Sequence, residues 1–319
     1  MPNDFKILNQ KIGLGETVTI NMDIARLTTR SKIDIPIIVS RGKEKGPCLL
    51  LVGGIHGDET NGIEIVRQII AAGYHKPEKG TIICIPLLNV FGFLNQTREF
   101  PDGRDLNRMF PGSKKGSSAS KFAYYLMTEV IPKIDYCIDY HTGGAQRFNY
   151  SQVRINGTDA ATLELAKVFG APFIVFSKSQ EKTFRNSMVK LGKKVLLFEG
   201  GKSLNFDKSV TKSGIQGAIN VMHYLGLRDF SSKIIVPSQD KTPIIIQSSK
   251  WIRARHSGMY RSYIRAGQKV EKGIKLGSIS DPYGDFEKIF KNPQEGYILN
   301  SNHSPVVIHG DALLHIGFE

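Results

Sequence analysis

The chain has 319 residues, 40% of them hydrophobic, and a mean hydropathy of −0.19, so it can bury a large core and is long enough for two domains. Its net charge is +14, from 43 Lys and Arg against 29 Asp and Glu, yet the basic residues are dispersed and interleave with no aromatic motif. Nucleic acid is therefore not the expected partner, and no apolar run nears the length of about 18 residues that a membrane span needs. The first residues are polar, with no signal-peptide pattern. Cys48, Cys84 and Cys137 lie in apolar runs without metal-type spacing, which reads as reduced core thiols and a cytoplasmic location.

Residues 17–20 and 35–39 alternate apolar and polar between charged turns, the pattern of an antiparallel entry to a sheet, with a turn at 42–46. Residues 48–52 are wholly apolar and lead into Gly53-Gly54, a buried parallel strand. Residues 60–73 then carry Ile63, Val66, Ile69 and Ile70 at helical period. Between them stands Gly54-Ile55-His56-Gly57-Asp58-Glu59, on the turn where an open α/β sheet places its ligands. A His-x-x-Glu pair can give zinc an imidazole nitrogen and a carboxylate oxygen, although any helix start can carry a Glu. Residues 81–86 are the next strand, and strand–helix–strand alternation implies a largely parallel sheet.

Residues 89–118 read as a long loop holding Arg98, Arg104, Asp105, Asn107 and Arg108 among turn formers. Guanidinium groups in such a loop suit carboxylates and polarised carbonyl oxygens; a solvated surface loop has the same composition. A helix over 120–130 and a strand over 134–140 follow, the strand delivering His141 beside Gly143-Gly144. Helices are expected over 159–169 and 182–191, and strands over 172–176 and 194–198. The last of these delivers Glu199 into Gly200-Gly201, and 207–225 forms a final helix. His56 with Glu59, His141 and Glu199 thus each sit at a strand's carboxyl end, and in a parallel sheet those ends share one edge. After Phe230 the chain turns to glycines between short apolar pairs, with no helical period, so the expected division is 1–230 as an α/β domain and 231–319 as a small all-β unit.

Residues 50–201 resemble the succinylglutamate desuccinylase/aspartoacylase family, which is related to zinc carboxypeptidases. The resemblance is carried, in order, by Gly54-Ile55-His56-Gly57-Asp58-Glu59, Arg98, Asp105-Leu106-Asn107-Arg108-Met109-Phe110-Pro111-Gly112, Asp139-Tyr140-His141 and Phe198-Glu199-Gly200-Gly201. Trp251-Ile252-Arg253-Ala254, the segment from Gly267 to Gly273, and Leu276-Gly277-Ser278-Ile279 resemble the family's β-domain, which looks like a biotinyl/lipoyl sandwich. The attachment-site lysine motif of true carrier domains is missing, and the resemblance to the family implies that this unit walls the cleft and restricts it to small substrates.

The resemblance implies a zinc-carboxypeptidase-like α/β fold and one Zn²⁺ held by His56, Glu59 and His141. It makes Glu199 the general base and Arg98 the group that stabilises the oxyanion. Asn107 and Arg108 would hold a substrate carboxylate, and Asp105 would hold the other nitrogen of His56; Arg185 reads either as a second substrate-anion contact or as a surface helix arginine. Tyr283 reads as an ordinary turn residue. The expected reaction is hydrolysis of a small N-acyl amino acid. A carboxypeptidase acting on peptides and a non-catalytic binding protein on the same fold are the rival readings. Composition does not decide the oligomeric state, a homodimer being one option.

Overall fold

The computed structural model describes residues 5–26, 32–157, 159–234 and 242–319. In chain order these form β1 (Lys6–Ile7), β2 (Gln10–Lys11), β3 (Thr17–Arg26), β4 (Lys32–Arg41), β5 (Glu44–Gly53), α1 (Thr60–Ala71), β6 (Lys79–Ile85), α2 (Val90–Asn95) and α3 (Ser118–Glu129). Then come β7 (Tyr136–Gly143), β8 (Arg147–Ile155), α4 (Ala160–Phe169), β9 (Phe173–Phe176), α5 (Phe184–Lys190), β10 (Lys194–Lys202) and α6 (Lys208–Tyr224). The remainder is built on strands: β11 (Ile244–Ile246), β12 (Ser248–Arg253), β13 (Gly258–Ser262), β14 (Lys269–Val270), β15 (Lys275–Ser280), β16 (Glu287–Lys291), β17 (Gly296–Asn302), β18 (Val306–Val307) and β19 (Ala312–Phe318).

The principal sheet runs β12-β19-β17-β8-β10-β7-β5-β6-β4-β3. Its centre, β6, β5, β7 and β10, is parallel, as expected of strands joined through helices. Antiparallel β4 and β3 flank one side, and β8 and β17 are antiparallel on the other, so the sheet is mixed. The apolar run of β5 explains why it is central: Leu50 and Val52 face one side, Leu49 and Leu51 the other, and all four are fully buried. Each such side chain contributes roughly 1.5–3 kcal/mol of burial. The Leu50 side is covered by α3 through Phe122 and Leu126 and by α5 through Phe184 and Met188. The Leu49 side is covered by α1, α4 and α6 through Ile65, Leu165 and Val221.

Two stretches differ from their sequence pattern. The segment 89–118 contains α2, capped by the Asn89 side chain accepting from the Gly92 N–H, and a single 3-10 turn over Leu106–Arg108. Its few apolar residues are too short a run to show a helical period. Residues 147–155 form β8, whose alternation is hidden because Asn149 and Arg154 turn to a cavity and the strand slips in register against β10.

After residue 230 the described chain is all-β apart from one 3-10 turn. β16-β15-β13-β18 form a second sheet, and its Leu276, Ile279 and Val307 share a core with Ile298, Leu314 and Ile316 of the principal sheet. β17 is hydrogen-bonded to β8, pairing Asn300 with Asn149, and β11 is hydrogen-bonded to β9. The C-terminal strands therefore extend the sheet that carries the site.

Candidate metal centre and active site

The first two candidate ligands are set by the turn after β5. Gly54 takes φ +63°, a conformation that costs glycine little. Gly57 lies so close to the backbone of Gly92 and Phe93 that any β-carbon would collide with it, so α2 is pressed onto the turn. Glu59 occupies the N-cap position of α1 but caps nothing. Its carboxylate faces inward instead, at the end of a helix whose dipole favours negative charge.

Glu59 Oε1 lies 2.7 Å from His56 Nδ1, and Oε2 lies 2.9 Å from His141 Nδ1 and accepts from the Thr142 N–H at 3.1 Å. The rings of His56 and His141 meet edge to face with centroids 5.2 Å apart. One donor atom from each of His56, Glu59 and His141 falls within 4.8 Å of the others, and all three residues are buried. On their far sides, His56 Nε2 is 3.1 Å from Asp105 Oδ1 and His141 Nε2 is 3.1 Å from Asp139 Oδ2. A carboxylate only accepts, so each Nε2 donates to its aspartate, while each Nδ1 is turned toward the Glu59 carboxylate at the centre. The Arg98 Nη1 lies 3.2 Å from His56 Nδ1. Two imidazoles and one carboxylate, each imidazole held by a second carboxylate, is the donor set of a catalytic zinc site, and these residues fit such an ion.

Burial opposes charge here, and the pairing outweighs it. Burial alone would raise the Glu59 pKa; His56 and His141 hold it well below the usual carboxylate range. Burial alone would lower the His141 pKa; Asp139 and Glu59 carry it well above its ordinary value. Asp105 is likewise depressed, because His56 and Arg98 outweigh its desolvation.

The remaining sequence candidates line one cavity of about 310 Å³ with this cluster. Arg98 is held by Asp105 Oδ2 through Nε at 3.2 Å and Nη2 at 2.9 Å, leaving Nη1 at 3.3 Å from Glu59. The Asn107 Oδ1 accepts from the Phe184 N–H at 2.8 Å, which leaves its NH₂ end as the donor toward the cavity. Arg108 is exposed at the rim, its Nη1 donating to the Asn107 carbonyl at 2.8 Å. Arg185 is 8% exposed, and its Nη2 donates to the Ser177 carbonyl and hydroxyl at 3.2 and 3.1 Å. Its Nη1 is buried with no hydrogen-bond partner among the described residues. Burial, then the charge of Arg154, pull the Arg185 pKa down to about 10. Tyr283 is 87% exposed and does not line the cavity.

Glu199 comes from β10, which is in parallel register with β7 so that Glu199 pairs with His141. Its Oε2 accepts from Asn149 Nδ2 at 2.7 Å, and Arg154 Nη1 lies 4.0 Å from Oε1. Asn149, Arg154, Trp251 and Asn300 complete the wall without having been singled out for a role in the sequence. Asp139 had a signal that could have been used: two residues before His141 on a strand, it faces the same way. Asn149 and Arg154 had none while β8 was hidden. Arg98, Arg108, Arg147, Arg154, Lys178 and Arg185 against Glu59 and Glu199 make the lining strongly cationic.

The model of the succinylglutamate desuccinylase/aspartoacylase catalytic domain matches residues 45–225. The chain is 30% identical over 260 residues to the N-alpha-acetyl-L-2,4-diaminobutyric acid deacetylase of Halomonas elongata, covering 77% of this chain and 74% of that protein. Among solved structures, a succinylglutamate desuccinylase/aspartoacylase from Rhodobacter sphaeroides superposes with a TM-score of 0.83 at 24% identity over 95% of both chains. The product-bound ectoine utilization protein EutE (DoeB) of Ruegeria pomeroyi does so with a TM-score of 0.83 at 21% identity over 100% of both. These two show a shared fold.

Proposed function

The chain belongs to the succinylglutamate desuccinylase/aspartoacylase family, and from that premise we propose that it is a zinc-dependent hydrolase of the amide bond in a small N-acyl amino acid. The observation that carries this reading is the Glu59 carboxylate between two imidazoles whose outer nitrogens are each held by an aspartate, in one cavity with Glu199. His56, Glu59 and His141 hold the ion. Zinc supplies a Lewis acid that polarises a carbonyl and brings the pKa of water toward about 7.

The protein's own groups do the rest. Glu199 takes a proton from the attacking water and returns it to the departing amine. Arg98, braced by Asp105, directs Nη1 at the oxygen that becomes negative as the carbonyl turns tetrahedral. Asn107 and Arg108 hold the amino-acid carboxylate at the rim, and Arg185 offers its unpartnered Nη1 to a second anionic group. Residues 231–319, read as a barrel-sandwich-like domain, wall the cleft through Trp251 and Asn300 and favour a small substrate over a peptide.

The test is a screen of N-acetyl, N-succinyl and N-formyl amino acids with zinc-loaded protein, following free amine. Release from at least one is expected, and release from none overturns the reading. Glu199→Gln should keep bound zinc and lose turnover by about 100-fold or more. Loss of the metal in that variant would make Glu199 a ligand.

A further inference from the structure

Glu199 does not meet the cavity unsupported. Its Oε2 accepts from Asn149 Nδ2 at 2.7 Å, and Asn149 Oδ1 in turn accepts from Asn300 Nδ2 at 2.7 Å. Asn149 is 4% exposed and Asn300 2%. The two are opposite one another in the antiparallel β8–β17 pair, and Asn149 also pairs with Gly201 on β10. β17 slips by one residue against β19 between Ile298 and Asn300, a register shift of the kind that re-aims a strand's side chains.

An amide has a donating and an accepting end, and only the donating end can serve a carboxylate. Glu199, which only accepts, settles which end of Asn149 faces it, and the Asn149 carbonyl is then held by the NH₂ of Asn300. Were Asn149 reversed, its oxygen would face Glu199 Oε2, a repulsion in place of a bond, and the bond from Asn300 fixes the Asn149 amide where it meets Glu199. Asn300 Oδ1, for its part, is buried with no hydrogen-bond partner among the described residues, an arrangement that costs stability. An apolar residue at this strand position would avoid that cost, so packing alone does not account for an asparagine.

We propose that Asn300, a residue of the C-terminal strands, is a positioning residue for Glu199, acting through the side-chain amide of Asn149. The C-terminal strands then do more than wall the cleft: they set the aim of the base in the α/β part of the molecule. This rests on the assignment of Glu199 as the base, and the experiment separates the two.

Steady-state kinetics on the zinc-loaded full chain provide the first arm. Asn300→Ala should lower kcat about tenfold, the equivalent of one mispositioned hydrogen bond, while KM moves less than about twofold. In an Asn149→Ala background the same substitution should change kcat by less than about twofold, since nothing remains for Asn300 to orient. Asn300→Ser, which keeps a donor, should recover part of the loss. Equal losses in both backgrounds, or a loss carried by KM, would overturn the proposal and leave Asn300 as packing.

The second arm does not depend on turnover. The Asn149 side-chain NH₂ protons, followed by NMR in selectively labelled full-length protein, should be protected from exchange in the parent and lose that protection in Asn300→Ala or, if that variant does not fold, in Asn300→Ser to a smaller extent. Unchanged protection would sink the relay. If the parent released amine from no substrate, the assigned function would fall while this second arm still decided the relay.

Discussion

His315 gives the fold an acid-sensitive point beside the cavity. It sits on β19, 7% exposed, with its ring stacked on Trp251 at 4.5 Å between centroids and 11° between planes. Nε2 lies 2.9 Å from the Ser249 hydroxyl, and Nδ1 is buried without a hydrogen-bond partner among the described residues. Burial, then the charge of Arg154, pull its pKa from 6.5 to about 3. Between those two values the unfolded chain binds a proton that the folded chain refuses, so stability is lost as pH falls below 6.5 and the loss continues until about 3. At about 1.4 kcal/mol per pH unit, acidification to about pH 4.5 costs roughly 2–3 kcal/mol through this one residue, and the whole window costs on the order of 4–5 kcal/mol. His315→Gln removes the titration and keeps a group that can bond Ser249, at the loss of about 1 kcal/mol of ring stacking. Urea unfolding of both proteins, followed through the single tryptophan, should find the parent more stable at about pH 7.5 and the variant more stable at about pH 4.5. A gap that stays constant across that range would refute the reasoning.

Three further substitutions separate the assigned roles. Asp139→Asn leaves His141 Nε2 without its carboxylate, and zinc affinity, measured by chelator competition, should fall about 10- to 100-fold. Arg108→Ala removes a rim contact and should mainly raise KM, whereas a loss confined to kcat would place it against the transition state. Arg185→Met deletes a buried cation with an unpartnered Nη1, so thermal stability should hold or rise while KM for a substrate with a second anionic group rises about tenfold or more. Unchanged KM there would remove Arg185 from the anion site.

How much of this was legible in the sequence follows from which contacts are local. The apolar runs of β5, β6, β7 and β10 show parallel strands, and parallel strands bring their carboxyl ends to one edge whatever lies between them. That is why His56, Glu59 and His141, distant along the chain, could be expected to meet, and their donor atoms do come together. The family pattern likewise pointed to Arg98 and Asp105, whose bond spans only seven residues. β8 obeyed a different logic. Its Asn149 and Arg154 face the cavity and its register slips against β10, so the alternation that marks a strand with one wet face is absent. With β8 hidden, nothing could anticipate that β17 would dock on it in the one register that sets Asn300 opposite Asn149, 151 residues earlier. A shift of a single residue in that pairing would turn Asn300 to the other face of the sheet. The side chains proposed as base and metal ligands are thus readable from strand ends, while the Asn149–Asn300 bond proposed to aim Glu199 depends on a long-range register that only the folded sheet specifies.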